Sequence, residues 1–343
     1  MENFKNALQS LTTLKKIDDY GMFQMTYVGD YGLDEFMKVG HTEAEQSEHF
    51  VMKHLLKDIP IDYNYANGRA GRETGGGCTV FTARNENGEV LLCRNYDFAP
   101  CPSLQLFTKP DTGYASVSTV NLFYSGYSIS PAAPDENKLP SGLNLESFPV
   151  LSSPYEPMDG VNAKGVAIAA IFVPQAHAPF DENKITLDQL GIMRLVLDKA
   201  ANVNEAIALL QQHNIYFAID AFVQYQIADA SGRSIIVNYL DGEIKITEVP
   251  ESYQVTSNFA ACNPEITAGL CEVDRYDRVK TALEKNGGVL TEAQAVDLLK
   301  DIGVVFEGNY ILQWSVIYNL TTLEGVIFAH GRKDNLIRFH LTP

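Results

Sequence analysis

Gly75-Gly-Gly-Cys78-Thr-Val-Phe-Thr-Ala-Arg84-Asn-Glu-Asn-Gly88-Glu-Val90-Leu-Leu-Cys-Arg94-Asn-Tyr-Asp97-Phe98 reads as two strands closed by a tight turn. Residues 78–83 and 90–94 are rich in β-branched and apolar side chains. Between them Asn85-Glu-Asn-Gly88 supplies the residues that tolerate the left-handed backbone of a hairpin turn. Pairing through that turn returns Arg94 to the neighbourhood of Cys78. A guanidinium there favours the thiolate, and Asp97 can orient an amine nearby. Without those neighbours, Cys78 would read as a small buried hydrophobe at a strand start.

Downstream, residues 166–173 form a buried-strand run. Helices are expected at 187–200 and at 204–213, the latter capped by Asn202 or Asn204. Strands follow at 221–228, 234–239, 243–247 and 254–256. Helices follow at 274–285 and 291–301, with Thr291 as cap, and strands at 313–319, 325–329 and 337–340 close the chain. From 97 to 157 the composition favours loops with short strands. Many strands are joined by hairpin-length turns, so antiparallel pairing is expected. Helices grouped between strand blocks give a layered α+β domain. Two antiparallel sheets between helix layers would fit, although periodicity does not fix the number of layers.

Upstream, residues 1–77 read as a separate unit. A helix is followed by an alternating segment at 21–28, a second helix at about 42–57, and the glycine-rich stretch 66–77, which is nearly devoid of apolar side chains. The last reads as an exposed loop or an interdomain linker.

The chain has 343 residues, 45% of them hydrophobic, enough for one large core. Its net charge of −17 repels phosphate backbones and anionic surfaces, which argues against nucleic-acid binding. No apolar run approaches the roughly 20 residues that span a bilayer. The polar N-terminus lacks the apolar core of a signal peptide, so a cytoplasmic protein is expected. Five irregularly spaced cysteines argue against a disulfide framework or a zinc site. No cofactor or metal is expected.

A nucleophilic cysteine needs a base. Of the seven histidines, only His177 and His330 could lie near a site, and neither sits in a catalytic motif. Another base arises if the chain is cut between Gly77 and Cys78. A free α-amine titrates near 7.7–8.0 and would be held on the same residue as the thiol. Gly77 offers the least steric resistance to attack on its own carbonyl.

The sequence resembles the linear amide C–N hydrolases, the group that includes choloylglycine (bile salt) hydrolases, penicillin V acylases, acid-ceramidase-like amidases and isopenicillin N acyltransferases. The matching pieces run in family order: Cys78-Thr79; Arg94-Asn-Tyr-Asp97-Phe98; Asp159-Gly-Val-Asn162-Ala-Lys-Gly-Val166; Ile227-Ala-Asp-Ala-Ser-Gly-Arg233; Thr256-Ser-Asn258-Phe259; Arg275-Tyr-Asp-Arg278; and Gln313-Trp-Ser-Val-Ile-Tyr318. The resemblance implies a four-layer αββα N-terminal-nucleophile (Ntn) hydrolase sandwich. It implies a zymogen with a leader at 1–77, cut autocatalytically ahead of a catalytic domain at 78–343.

It further implies Cys78 as nucleophile, with Arg94 and Asp97 around its thiol and amine. Asn258 and the Phe172 backbone N–H correspond to the oxyanion donors, and Arg275 to the arginine that holds the nucleophile's surroundings. The family usually has Thr-Asn directly, whereas here Ser257 intervenes. Bile salt hydrolases carry Asn where this chain has Phe172, which points away from that particular activity. The implied substrate is a small N-acyl amide with an apolar acyl group, and a homo-oligomer, dimer or tetramer, is compatible. An acyltransferase, in which an amine captures the thioester, is the alternative enzyme. A non-catalytic binding protein with an uncut chain is the third reading. Asn162 and Asp229 read as turn residues, and Arg278 as a solvated helix face. The aromatic residues at 121–127 and at Leu106-Phe107 fit either a core or an acyl pocket.

Overall fold

The computed structural model describes residues 2–41, 50, 53, 77–130, 133–218, 221–267, 272–306 and 309–342. The helix expected at about 42–57, apart from residues 50 and 53, and the glycine-rich stretch up to Gly76 lie outside the described residues.

Two sheets dominate. In the small sheet, the strand Gly77–Arg84 lies between Val255–Thr256 and Val90–Asp97. The order then continues through Leu312–Asn319, Glu324–Ala329 and Ile337–His340. The expected hairpin is present, with Cys78 opposite Tyr96 and Val80 opposite Arg94. Gly88 closes its turn at φ +79°, a conformation that a β-carbon would strain. Among the described residues the large sheet has nine strands. Its centre is Ser116–Asn121, Pro157–Asn162, Ala167–Phe172, Val223–Ala228 and Ser234–Leu240.

Alternation along the strands sorts side chains into layers, because successive residues point to opposite faces. Cys78, Val80, Leu92, Trp314 and Val316 of the small sheet meet Val117, Val161, Ala167, Ala169 and Ile171 of the large one. The intervening residues Phe81, Leu91, Cys93 and Ile317 face outward, onto Val279, Leu283, Val296 and Leu299 of the helices Glu272–Lys285 and Glu292–Asp301. Ile168, Tyr225 and Val237 face the opposite way, onto the helices Glu2–Thr13, Gly191–Lys199 and Val203–Gln212. The architecture is therefore helix, sheet, sheet, helix, which fixes the layer count that periodicity left open.

Local signals explain most boundaries. Asn202 caps the helix Val203–Gln212, and Thr291 with Gln294 forms a full capping box on Glu292–Asp301. The helix expected from Leu187 starts later, at Gly191. Asp188 accepts from the backbone N–H of Leu190 and Gly191, so Thr186–Asp188 is held as a short strand beside Asn214–Tyr216. That pair is parallel, as is the pair Met22–Thr26 with Ser103–Thr108. Among the named strands of the described residues these two pairs depart from antiparallel pairing, and both join segments with long connections rather than hairpins.

Residues 2–41 do not stand apart from the sheets. Met22–Thr26 extends the large sheet, and Leu11, Met25, Tyr31 and Phe36 are fully buried in its outer core. Tyr31 donates to Asp198 at 2.5 Å, and Tyr155 donates to the Tyr31 carbonyl at 3.0 Å. Asp198 is in turn paired with buried Arg194 at 2.8 Å.

Candidate active site

The Cys78 strand uses both of its faces. On the face between the sheets the Cys78 sulfur lies 3.5 Å from an Arg94 nitrogen. Arg94 follows from the hairpin register, two positions along the same face. It is buried and forms an ion pair with Asp159 at 2.7 Å. Its other donors reach the carbonyls of Met158 and Ala170, the latter at 3.0 Å. Those carbonyls belong to neighbouring strands of the large sheet, so the guanidinium enters where the two strands part. A fork with several fixed donors can bind that set, which a lysine cannot. Burial works against the charge on Arg94, yet Asp159 and the Cys78 sulfur hold its pKa above the ordinary value.

Asp159 also accepts from Trp314 at 3.0 Å and from Tyr318 at 2.6 Å. These three residues stand in stretches that carried the family resemblance, but nothing in the sequence gave them a task. The link appears only when Leu312–Asn319 lies against Val90–Asp97.

On the other face, Gly77 pairs with Asp97. Asp97 accepts from Arg275 at 3.0 Å and from the Val304 backbone at 3.2 Å. Burial pushes the Asp97 carboxyl up to about 6, against the pull of Arg275. Arg275 comes from the helix over this face and also donates to Asn258 Oδ1 at 2.8 Å. The same oxygen accepts from the Cys78 backbone N–H at 2.6 Å. The register of Val255–Thr256 against Phe81 and Val80, continued two residues, sets Asn258 opposite Cys78. Ser257 takes its own position, donating to the Cys78 carbonyl at 2.9 Å. The inserted serine thus adds a contact and leaves Asn258 at the cysteine.

Asn258 Nδ2 donates to the Phe172 carbonyl at 2.8 Å, leaving its second N–H. Val173 donates to Phe222 across the ladder, so Phe172, one residue earlier, turns its N–H and carbonyl the opposite way. They point to the same side as the Ala170 carbonyl that Arg94 occupies. Cys78, Arg94, Asp97, Asn258, Arg275 and Phe172 are thereby brought together from four strands or strand ends and one helix.

The other candidates fall elsewhere. Asn162 accepts from Lys164 and Val166 and donates to the carbonyls of Leu197 and Ala200, tying a turn to a helix end. Arg278 makes an exposed contact with Asp274 at 3.7 Å. His177 donates its backbone N–H to Tyr239, and His330 packs on the Tyr20 ring at 5.4 Å. Of the aromatic candidates, Phe123 and Tyr124 form a half-buried group together with Phe98. That group continues to Tyr96, opposite Cys78 and stacked on Trp314 at 4.0 Å. Among the described residues no cluster of side chains could hold a metal ion.

Comparison with known proteins agrees with this architecture. The family model for linear amide C–N hydrolases, choloylglycine hydrolase family, matches residues 78–288. Penicillin V acylase of Pectobacterium atrosepticum is 29% identical over 122 residues, covering 32% of this chain and 32% of that enzyme, so the match spans about a third of the relative's length. A mutant conjugated bile acid hydrolase from Clostridium perfringens superposes with a TM-score of 0.54 at 14% identity, covering 77% of this chain and 92% of that one. Penicillin V acylase from Agrobacterium tumefaciens gives 0.50 at 17% identity, covering 74% and 83%. The two solved structures share the fold, and the family match takes in the hairpin, Asn258 and Arg275. The chain belongs to the choloylglycine hydrolase family of linear amide C–N hydrolases.

Proposed function

We propose that this protein is an amidohydrolase that cleaves a small N-acyl amide through a thioester on Cys78, after the chain cuts itself between Gly77 and Cys78. The observation that carries the reading is the placement of Cys78 between Arg94 at its sulfur and Asn258, Arg275 and Asp97 around its backbone nitrogen. The family match that begins at residue 78 supports the same division, with a leader at 1–77 and a catalytic part at 78–343.

In this reading the freed α-amine takes the thiol proton, and Arg94 stabilises the thiolate. Sulfur attacks the amide carbon. The free N–H of Asn258 and the backbone N–H of Phe172 donate to the oxyanion, an arrangement typically worth about 100–1,000-fold per donor. The α-ammonium gives its proton to the departing amine. Water, deprotonated by the same amine, then attacks the thioester and releases the acid and the thiol. Asp97 holds the ammonium, and Arg275 holds Asp97 and Asn258. The aromatic run from Tyr96 through Phe98 to Phe123 and Tyr124 supports an apolar acyl group.

The test is Cys78→Ala, read by intact mass and by hydrolysis of a panel of N-acyl amides with aliphatic and aryl acyl groups. The variant is expected to remain a single 37.9 kDa chain and to hydrolyse none of them. An uncut wild-type chain that turns over at full rate would overturn the mechanism.

A further inference from the structure

Asn258 sits at a bend between the short strands Val255–Thr256 and Phe259–Ala260, where the small sheet's ladder is interrupted. The ladder therefore does not hold its backbone. The large sheet does. Gln224, fully buried on the strand Val223–Ala228, reaches across with its amide. Its Nε2 donates to the carbonyls of Ser257 at 2.8 Å and Phe259 at 2.7 Å, the two that flank Asn258, with Thr256 Oγ1 at 3.1 Å.

Its Oε1 accepts from Asn238 Nδ2 at 2.8 Å and from the Ala261 backbone at 3.1 Å. Asn238 stands on the next strand, Ser234–Leu240, and accepts from Cys262 at 3.4 Å. A primary amide has two N–H donors and two lone-pair positions, and here all are engaged. Flipping the Gln224 head would set its oxygen against two carbonyls and its nitrogen against two donors, so one orientation survives. Buried, fully satisfied polar networks of this kind specify a single arrangement.

We infer that Gln224, oriented by Asn238, is a positioning residue that sets the Asn258 side chain for oxyanion stabilisation. The inference rests on the proposed role of Asn258. Gln224 touches neither the sulfur nor the substrate in this scheme, and its effect passes through Asn258. Partial misplacement of a preorganised donor forfeits part of its 100–1,000-fold contribution, so a loss of about tenfold in kcat is expected.

The test is a double-mutant cycle with Gln224→Met and Asn258→Ala, measured on the best substrate of the N-acyl amide panel and expressed per cut chain. Cys78 alkylation by iodoacetamide, which needs no oxyanion donor, is followed in parallel. Gln224→Met should lower kcat about tenfold with KM and alkylation within twofold of wild type. In the Asn258→Ala background it should change kcat by less than twofold. An equal loss in both backgrounds, a parallel fall in alkylation, or an unchanged kcat would overturn the proposal. An unchanged kcat in Asn258→Ala alone would instead remove the oxyanion assignment on which the proposal stands. If Gln224→Met does not fold, Asn238→Ala leaves the glutamine donors but frees the head. A threefold or larger loss of kcat that vanishes with Asn258→Ala is then expected, and no loss would refute it.

Discussion

Gly77→Ala isolates the step that makes the nucleophile. A β-carbon at residue 77 would lie 3.1 Å from both terminal nitrogens of Arg275 and 3.3 Å from Asp97 Oδ2. Comfortable contact begins a few tenths of an ångström farther out. Arg275 cannot yield freely, because the same nitrogens are pinned to Asp97 at 3.0 Å and to Asn258 at 2.8 Å. Displacing it loosens Asn258, which accepts the N–H of the bond to be cut at 2.6 Å. Overpacking of this kind costs about 1–3 kcal/mol. Placed wholly on the barrier, that is a slowing of between about fivefold and about 160-fold. Gly77→Val should be slower still.

The assay is intact mass spectrometry over time after translation, following the fragment that begins at Cys78. Residue 77 becomes the C-terminal residue of the leader fragment, so the catalytic fragment carries the native sequence from Cys78 onward. Its kcat per cut chain should therefore be unchanged. Cutting of the Ala or Val variant at the wild-type rate or faster would refute the steric argument. A lowered kcat per cut chain would show that residue 77 acts beyond the cut.

The remaining expectations concern charge and assembly. Arg94→Lys keeps the charge but not the fork that spans Asp159, Met158, Ala170 and the sulfur. It should lower kcat/KM about 100-fold and lower Tm, since each buried carbonyl left without its donor costs about 1–3 kcal/mol. An unchanged kcat/KM would contradict the role assigned to Arg94. Asp97 holds its proton to about pH 6 in the folded chain, above its ordinary value of 3.8. The folded state thus binds the extra proton between those values, and stability falls as pH rises through about 4–6, by roughly 3 kcal/mol from this group. In an uncut Cys78→Ala background, Asp97→Asn should flatten that fall, as read by Tm at several pH values. Finally, Leu11, Met25 and Phe36 are each fully buried, a gain of roughly 1.5–3 kcal/mol apiece. The leader should therefore stay bound after cutting, and native mass spectrometry should show both fragments together while a denaturing gel separates them. Loss of the leader under native conditions would rule this out.

The sequence by itself determined the hairpin at Cys78, because Asn85 to Gly88 encode a turn locally and the strand period then dictates that Arg94 shares a face with Cys78. It also determined the helix cap at Thr291, and narrowed the cap of the helix Val203–Gln212 to Asn202 or Asn204, of which the structure uses Asn202. The αββα layering and the candidate residues Asn258, Arg275 and Phe172 came from resemblance. Nothing local joins residue 78 to residue 258. That contact exists only because Val255–Thr256 docks on the edge of the small sheet and the helix from Glu272 lies over it. The tertiary structure alone decided that Asp159, Trp314 and Tyr318 meet behind Arg94, and that Gln224 clamps the break at Asn258. It also decided that residues 2–41 complete the large sheet. A buried polar side chain advertises only that it needs partners. Which partners it finds depends on strand order and the packing of one sheet on another, and no spacing within a strand or helix carries that information.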